Sequence, residues 1–146
     1  MTFKKLISHR GNTLGPDKSL ENDPTYVLNA IKSGYDCEID LWLVNKELFL
    51  GHDEPDYSTD IQFLSEYEEN LWIHCKNFEA LEFLNKIQKF NYFWHQKDRF
   101  TLTSKGFIWT YPGNLVSSNS IIVDNQNKIT NYKCYGVCSD FIEVYK

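Results

Sequence analysis

Apolar and polar positions alternate most clearly from Cys37 to Pro55, CEIDLWLVNKELFLGHDEP. A period of two puts Glu38, Asp40 and Trp42 on one face of a strand and Cys37, Ile39 and Leu41 on the other. Asn45-Lys46 marks a tight reversal, and a returning strand ends in His52-Asp53. Ahead of this hairpin, Leu6-Ile7-Ser8-His9 reads as a short apolar strand closed by Arg10-Gly11-Asn12. Asp23-Pro24 then opens a helix, with Asp as N-cap and Pro at the first helical position. Val27, Leu28 and Ile31 supply its apolar stripe and Gly34 its C-terminal stop. Strand, helix, strand is the unit that implies parallel pairing.

The pattern continues after the hairpin. Asp56 to Asn70 is mostly polar, with a short helix predicted around Ile61, Phe63 and Leu64. Leu71 to Cys75 is a strand, and Asn77 caps a helix whose buried stripe is Ala80, Leu81, Leu84 and Ile87. Tyr92 to His95 is a fourth core strand. Beyond Gln96 the helical stripe disappears. Phe100–Thr103, Phe107–Thr110, Ile121–Val123 and Tyr135–Cys138 are short strand-like runs, and Asp124 to Tyr132 is polar and turn-rich. The residues alone point to an α/β barrel or a doubly wound sheet.

A length of 146 residues gives one domain with room for a proper core. Hydrophobic residues make up 42% and aromatics 16%, which excludes a disordered chain. The net charge of −5, with no Lys/Arg block, argues against a nucleic-acid partner. No apolar run reaches the length of a membrane span, and the N-terminus lacks the pattern of a secretory signal. Cys37, Cys75, Cys134 and Cys138 therefore read as free thiols in a reducing, cytoplasmic setting. Cys134 and Cys138 lack a second Cys/His pair at zinc-site spacing.

Polar groups collect at the predicted strand ends: His9-Arg10, Glu38/Asp40, His52-Asp53, His74/Lys76 and His95. Two carboxylates projecting in parallel from one strand suit a hard divalent cation. Alternation puts Trp72, His74 and Lys76 on one face of their strand, with Cys37 and Cys75 facing the outer helices. Each feature has a plain alternative: an exposed histidine, a solvated strand face, a snorkelling lysine, or Glu21-Asn22 merely favouring a helix dipole. The ordered set carries the signal.

Taken in order, His9-Arg10-Gly11, Glu21-Asn22, a helix with Ala30-Ile31 and Gly34, Glu38-Ile39-Asp40 and His52-Asp53 resemble the glycerophosphodiester phosphodiesterases. Gly136-Val137-Cys138-Ser139-Asp140 is similar to that family's final strand, which suggests a complete C-terminus. The resemblance implies a (β/α)8 barrel of roughly 250 residues. The chain is much shorter, so the expected fold class is α/β, a reduced TIM-type barrel with several outer helices shortened or missing in the C-terminal half. A second subunit could cover the open flank.

The resemblance also implies roles. His9 and His52 become the general acid/base pair, and Glu38 and Asp40 hold Mg²⁺ or Ca²⁺. Arg10 and Lys76 bind the phosphodiester. Glu21, Asn22, Asp53 and His95 support them. A Glu that completes the family's metal site is replaced by His74, which becomes the third candidate ligand.

The expected activity is metal-dependent hydrolysis of a small, glycerol-type phosphodiester. An anionic diester repels nucleophiles, so its cleavage needs cations at the non-bridging oxygens and proton transfer on both sides of the bond. A non-catalytic phosphate-binding module, a lyase releasing a cyclic phosphate and a sugar-phosphate isomerase remain the alternatives.

Overall fold

The structure, a computed structural model, describes residues 3–146. Its strands are β1 (Lys5–His9), β2 (Asp36–Val44), β3 (Glu47–Leu50), β4 (Tyr57–Thr59), β5 (Leu71–Cys75), β6 (Tyr92–Phe93), β7 (Phe100–Leu102), β8 (Ile108–Thr110), β9 (Ser120–Val123) and β10 (Gly136–Ser139). Three α-helices interrupt them: α1 (Pro24–Lys32), α2 (Ile61–Glu66) and α3 (Phe78–Ile87). A 3₁₀ turn, Ile142–Tyr145, ends the chain. All ten strands join one sheet, ordered β4-β3-β2-β1-β10-β9-β8-β7, with β5 pairing β2 and carrying β6.

Local chemistry explains the first half. Asp23 caps α1 by accepting from Thr25 N at 2.9 Å, and Pro24 takes the first helical position. Asn45 and Lys46 both have positive φ, 50° and 66°, as a two-residue hairpin turn requires. Asn77 caps α3 through Ala80 N at 3.1 Å and also bridges to the backbone of Leu43. Cys37 and Cys75 lie buried with Ile39, Ile73, Val27, Ala80 and Leu84, under the helices as alternation requires.

The barrel expectation is corrected. The molecule is a mixed sheet curled into a half-barrel, with few and short helices. β3, β4 and β7 run antiparallel to their neighbours. The connections from β8 to β9 and from β9 to β10 carry no helix. The physical reason lies in residues 111–135. Without an apolar stripe at helical spacing, that segment cannot cover a sheet face with helices. The outer face of β9 and β10 is covered instead by Phe3, Tyr35 and Ile142 against Ile122 and Val137.

The ends of the curl meet by side chains and by a backbone bond from Ser104 N to Tyr92 O at 2.8 Å. No ladder joins β6 to β8, but the rings of Phe93 and Trp109 stand 4.9 Å apart. Ile7, Trp72, Phe93, Trp109, Ile121 and Cys138 fill the concave side. This packing closes one end of the concavity and leaves the C-terminal ends of the parallel strands around an opening. Two of the boundary shifts bear on the site: β3 stops at Leu50, so His52 lies beyond the strand, and β6 stops at Phe93, so His95 follows the strand. No helix among the described residues is long and apolar enough to cross a membrane.

Candidate functional site

The parallel ladder between β2 and β5 places Asp40 beside His74, and that between β1 and β2 places His9 beside Glu38. One ligand atom from each of Glu38, Asp40 and His74 lies within 4.8 Å of the other two. His74 Nδ1 stands 3.2 Å from Asp40 Oδ1 and 3.9 Å from Glu38 Oε2. Its other nitrogen, Nε2, donates to the His95 carbonyl at 2.9 Å. A carbonyl can only accept, so Nε2 carries the ring proton. In the neutral ring, the Nδ1 lone pair therefore faces two carboxylates. That arrangement needs a proton, on Nδ1 or on a carboxyl, or a bound cation between the three groups.

Burial sharpens this need. Glu38 and Asp40 are 3% and 0% exposed. Among the described residues, Glu38 Oε1 and Asp40 Oδ1 have no hydrogen-bond donor. Burial, and then the neighbouring Asp40 charge, push the Glu38 carboxyl well above the usual range. Burial acts on Asp40 in the same sense, but a doubly protonated His74, with Nδ1 3.2 Å from Asp40 Oδ1, and the Arg10 charge outweigh it and bring Asp40 down to about 2. Asn22, also buried, clamps Asp40 on two sides. Its Nδ2 donates to Asp40 Oδ2 and its Oδ1 accepts from Asp40 N, both at 2.9 Å.

Arg10 leaves β1 with φ of 60°, and Gly11 follows at 95°. A Cβ on Gly11 would strike the Tyr26 ring, so only glycine permits this turn. The turn carries the guanidinium back over the strand ends. Its Nε lies 3.3 Å from Asp40 Oδ2, and its Nη1 lies 3.5 Å from Glu21 Oε1.

His9 Nδ1 donates to Asp140 Oδ1 at 2.7 Å, just past the end of β10. The opposite nitrogen, Nε2, faces Glu38 at 3.9 Å and the opening. Burial raises the Asp140 carboxyl, but the His9 bond and charge, with Asn12, bring it below the usual range. Asn12 donates to both Asp140 at 2.8 Å and Glu21 at 3.1 Å. His52 Nδ1 pairs with the exposed Asp53 at 2.8 Å. Burial and the Arg10 charge keep the His52 imidazole neutral to lower pH than usual. Its turn is anchored by Trp42, whose Nε1 donates to Gly51 O at 2.7 Å.

One cavity of about 430 Å³ is lined by His9, Arg10, Glu38, His52, His74, Lys76 and His95. Asp40 lies buried beneath it, held between Arg10 and His74. Glu21, Asn22 and Asp53 line an adjoining depression that shares Arg10 and His52 with the cavity. All eleven candidate residues therefore gather at one end of the sheet. Asp140 and Asn12 are hydrogen-bond partners of the candidate residues that the sequence reading did not assign. The Ser139-Asp140 ending was the available signal for Asp140; Asn12 offered none, since its partners are distant in the chain. Trp94, which with the other tryptophans reads from the sequence as core or pocket wall, completes the cavity wall together with Tyr111 and Asn125, which were unassigned.

Comparison with known proteins brings no match among family models, curated proteins or solved structures.

Proposed function

We propose that the chain is a metal-dependent phosphodiesterase acting on a small alcohol phosphodiester, glycerol-type by the motif resemblance. The observation that carries this reading is the meeting of Glu38, Asp40 and His74 within 4.8 Å, in a cavity also lined by His9, His52, Arg10 and Lys76. The donor set fits a divalent cation, because two buried carboxylate oxygens lack donors and an imidazole lone pair points between them. Two carboxylates suit Mg²⁺ or Ca²⁺, and the nitrogen donor also admits Mn²⁺. When bound, such an ion neutralises a phosphoryl oxygen.

The remaining chemistry belongs to the side chains. Arg10 and Lys76 offset the negative charge of the diester. His9, with its Nδ1 proton held by Asp140, presents Nε2 for proton transfer. His52 serves the other side of the scissile bond. One ring accepts a proton from the attacking group, either water or the substrate's own adjacent hydroxyl, and the other protonates the departing alkoxide. In the second case the roles swap as water opens the cyclic phosphate to the phosphomonoester. The four free cysteines support a reducing, cytoplasmic setting.

The test is to add Mg²⁺, Ca²⁺ or Mn²⁺ to chelator-treated protein, offer glycerophosphodiesters, and follow products by phosphorus NMR. Phosphomonoester release that requires metal and falls 10²-fold or more in His9→Ala supports the proposal. A cyclic phosphate as end product would identify a lyase. A binding module is favoured by one observation: His52 is 42% exposed and pairs with an Asp53 that is 92% exposed. Binding without release would select that reading.

A further inference from the structure

The cavity and the depression beside it differ in chemistry, and the difference bears on substrate choice. They meet at Arg10 and His52. The depression, about 290 Å³, has only polar and charged walls, including Lys18, Glu21, Asn22 and Asp56. The cavity extends the other way, past His74, to the ends of β6, β8 and β9. There its walls are Trp94, His95, Trp109 and Tyr111, with the amides of Gln96 and Asn125.

This second wall is built for a flat ring. Tyr111 and His95 stack on each other at 4.7 Å with an interplanar angle of 20°. Trp109 is buried behind them at 2% exposure, packed on Phe93 and Trp72. Trp94 differs from all three: 37% of it is exposed, and no aromatic neighbour covers it among the described residues. An indole left open at a cavity mouth offers a stacking surface. His95 Nδ1 is buried with no hydrogen-bond partner among the described residues, and the cavity is bounded by the same ring. Asn125 Oδ1 is committed to Asp140 N at 2.9 Å, which leaves its amide protons free. An open indole flanked by two amides matches a ring with donors and acceptors on its edge.

Charge decides between a cationic and a neutral occupant. Aromatic walls also bind quaternary ammonium groups. Here the cavity contains Arg10 and Lys76, and its one lining carboxyl, Glu38, belongs to the cluster described above. The nearest counter-charge at the aromatic end, Asp98, acts on His95 from outside the cavity wall, while two cations stand in the wall itself. A neutral ring loses nothing there.

We infer that the preferred diester is asymmetric: a nucleobase-like heteroaromatic arm stacks on Trp94 at the aromatic end, and a polyol arm lies in the polar depression. This rests on the phosphodiesterase reading for turnover but not for binding. The experiment compares two substrates, glycerol-3-phospho-5′-uridine and glycerophosphoglycerol, by kcat/KM under one metal condition. In parallel, uridine 5′-monophosphate and glycerol 3-phosphate are titrated by intrinsic tryptophan fluorescence and calorimetry.

One stacked base corresponds to about a 10-fold preference, and that ratio is expected in both assays. Trp94→Ala should bring the ratio close to one, and the partial exposure of Trp94 lets the variant fold. Preferential nucleotide binding without turnover of either diester would uphold this inference and sink the hydrolase reading. Equal constants for the two arms, a ratio unmoved by Trp94→Ala, or no binding of either monophosphate would overturn it.

Discussion

Single side chains in this molecule act through one designated partner, and His9 shows the consequence. Its Nδ1 proton is fixed by Asp140 at 2.7 Å, so its Nε2 is the nitrogen that reaches the opening. Asp140→Ala removes the acceptor and frees both the tautomer and the ring orientation. A fall in kcat/KM of about 10²-fold is expected, with little further loss when His9→Ala is added. Asp140→Asn should fall between wild type and Asp140→Ala. Its amide oxygen can still accept from His9 and Asn12 but brings no charge. Equal activity of wild type and Asp140→Ala would detach Asp140 from the mechanism.

His52 gives a pH prediction of definite sign. Burial first, and the Arg10 charge second, lower its pKa from the ordinary value of about 6.5. The unfolded chain therefore binds the His52 proton at higher pH than the folded one. The stability from a neutral His52 is present above the unfolded value and is lost as pH falls through it toward the lower folded value. Proton NMR of the His52 ring should show the low titration, and Arg10→Gln should move it upward. A titration at or above the ordinary value would contradict the geometry.

Among the elements, the hairpin that carries His52 depends on a close approach of backbone. Gly51 N donates to Asp40 O at 3.1 Å and Asp56 N donates to Leu50 O at 3.0 Å. A Cβ on Gly51 would overlap the Glu54 carbonyl oxygen. Gly51→Ala must therefore reopen the turn and move His52, while β2 and β5 keep the Glu38, Asp40 and His74 cluster. The expected result is a loss of activity of at least about 10-fold, with metal affinity by calorimetry changed little. A parallel collapse of metal affinity would show that the hairpin supports the cluster as well.

Why some elements were legible follows from the range of the forces that make them. Period-two alternation placed Glu38 and Asp40 on one face of β2, and caps at Asp23 and Asn77 marked α1 and α3, because those signals are local. The pairing of His9 with Asp140 spans 131 positions, so no local pattern reveals it. The strand β4 was missed because Tyr57–Thr59 is short and half-exposed, and its place is set by the edge of β3 rather than by its own composition. The barrel expectation failed for a related reason. A βαβ unit looks the same in a closed ring and in a curled open sheet. The outcome depends on how many such units follow, and residues 111–135 build none.

For the whole molecule, the decisive feature is that unsatisfied charge lies at the centre of the sheet. Glu38, Asp40 and His74 stand on β2 and β5, where the protein is most buried. Ionised Glu38 is costly there, because burial and Asp40 both oppose its charge. Two effects of opposite sign follow. In chelator, Glu38→Gln removes that cost while keeping the shape, so the variant should melt no lower than wild type. With metal, wild type should gain stability because the ion binds only the folded state. At 100 times the dissociation constant the gain is about 2.7 kcal/mol, which for a domain of this size raises the melting temperature by roughly 5–10 °C. Glu38→Gln should lose most of that rise, and so should His74→Phe. Differential scanning calorimetry with and without Mn²⁺ or Mg²⁺ reads both effects. A Glu38→Gln protein that melts well below wild type in chelator, or one that keeps the full metal response, would show that this carboxylate stabilises the sheet by itself and is no ligand.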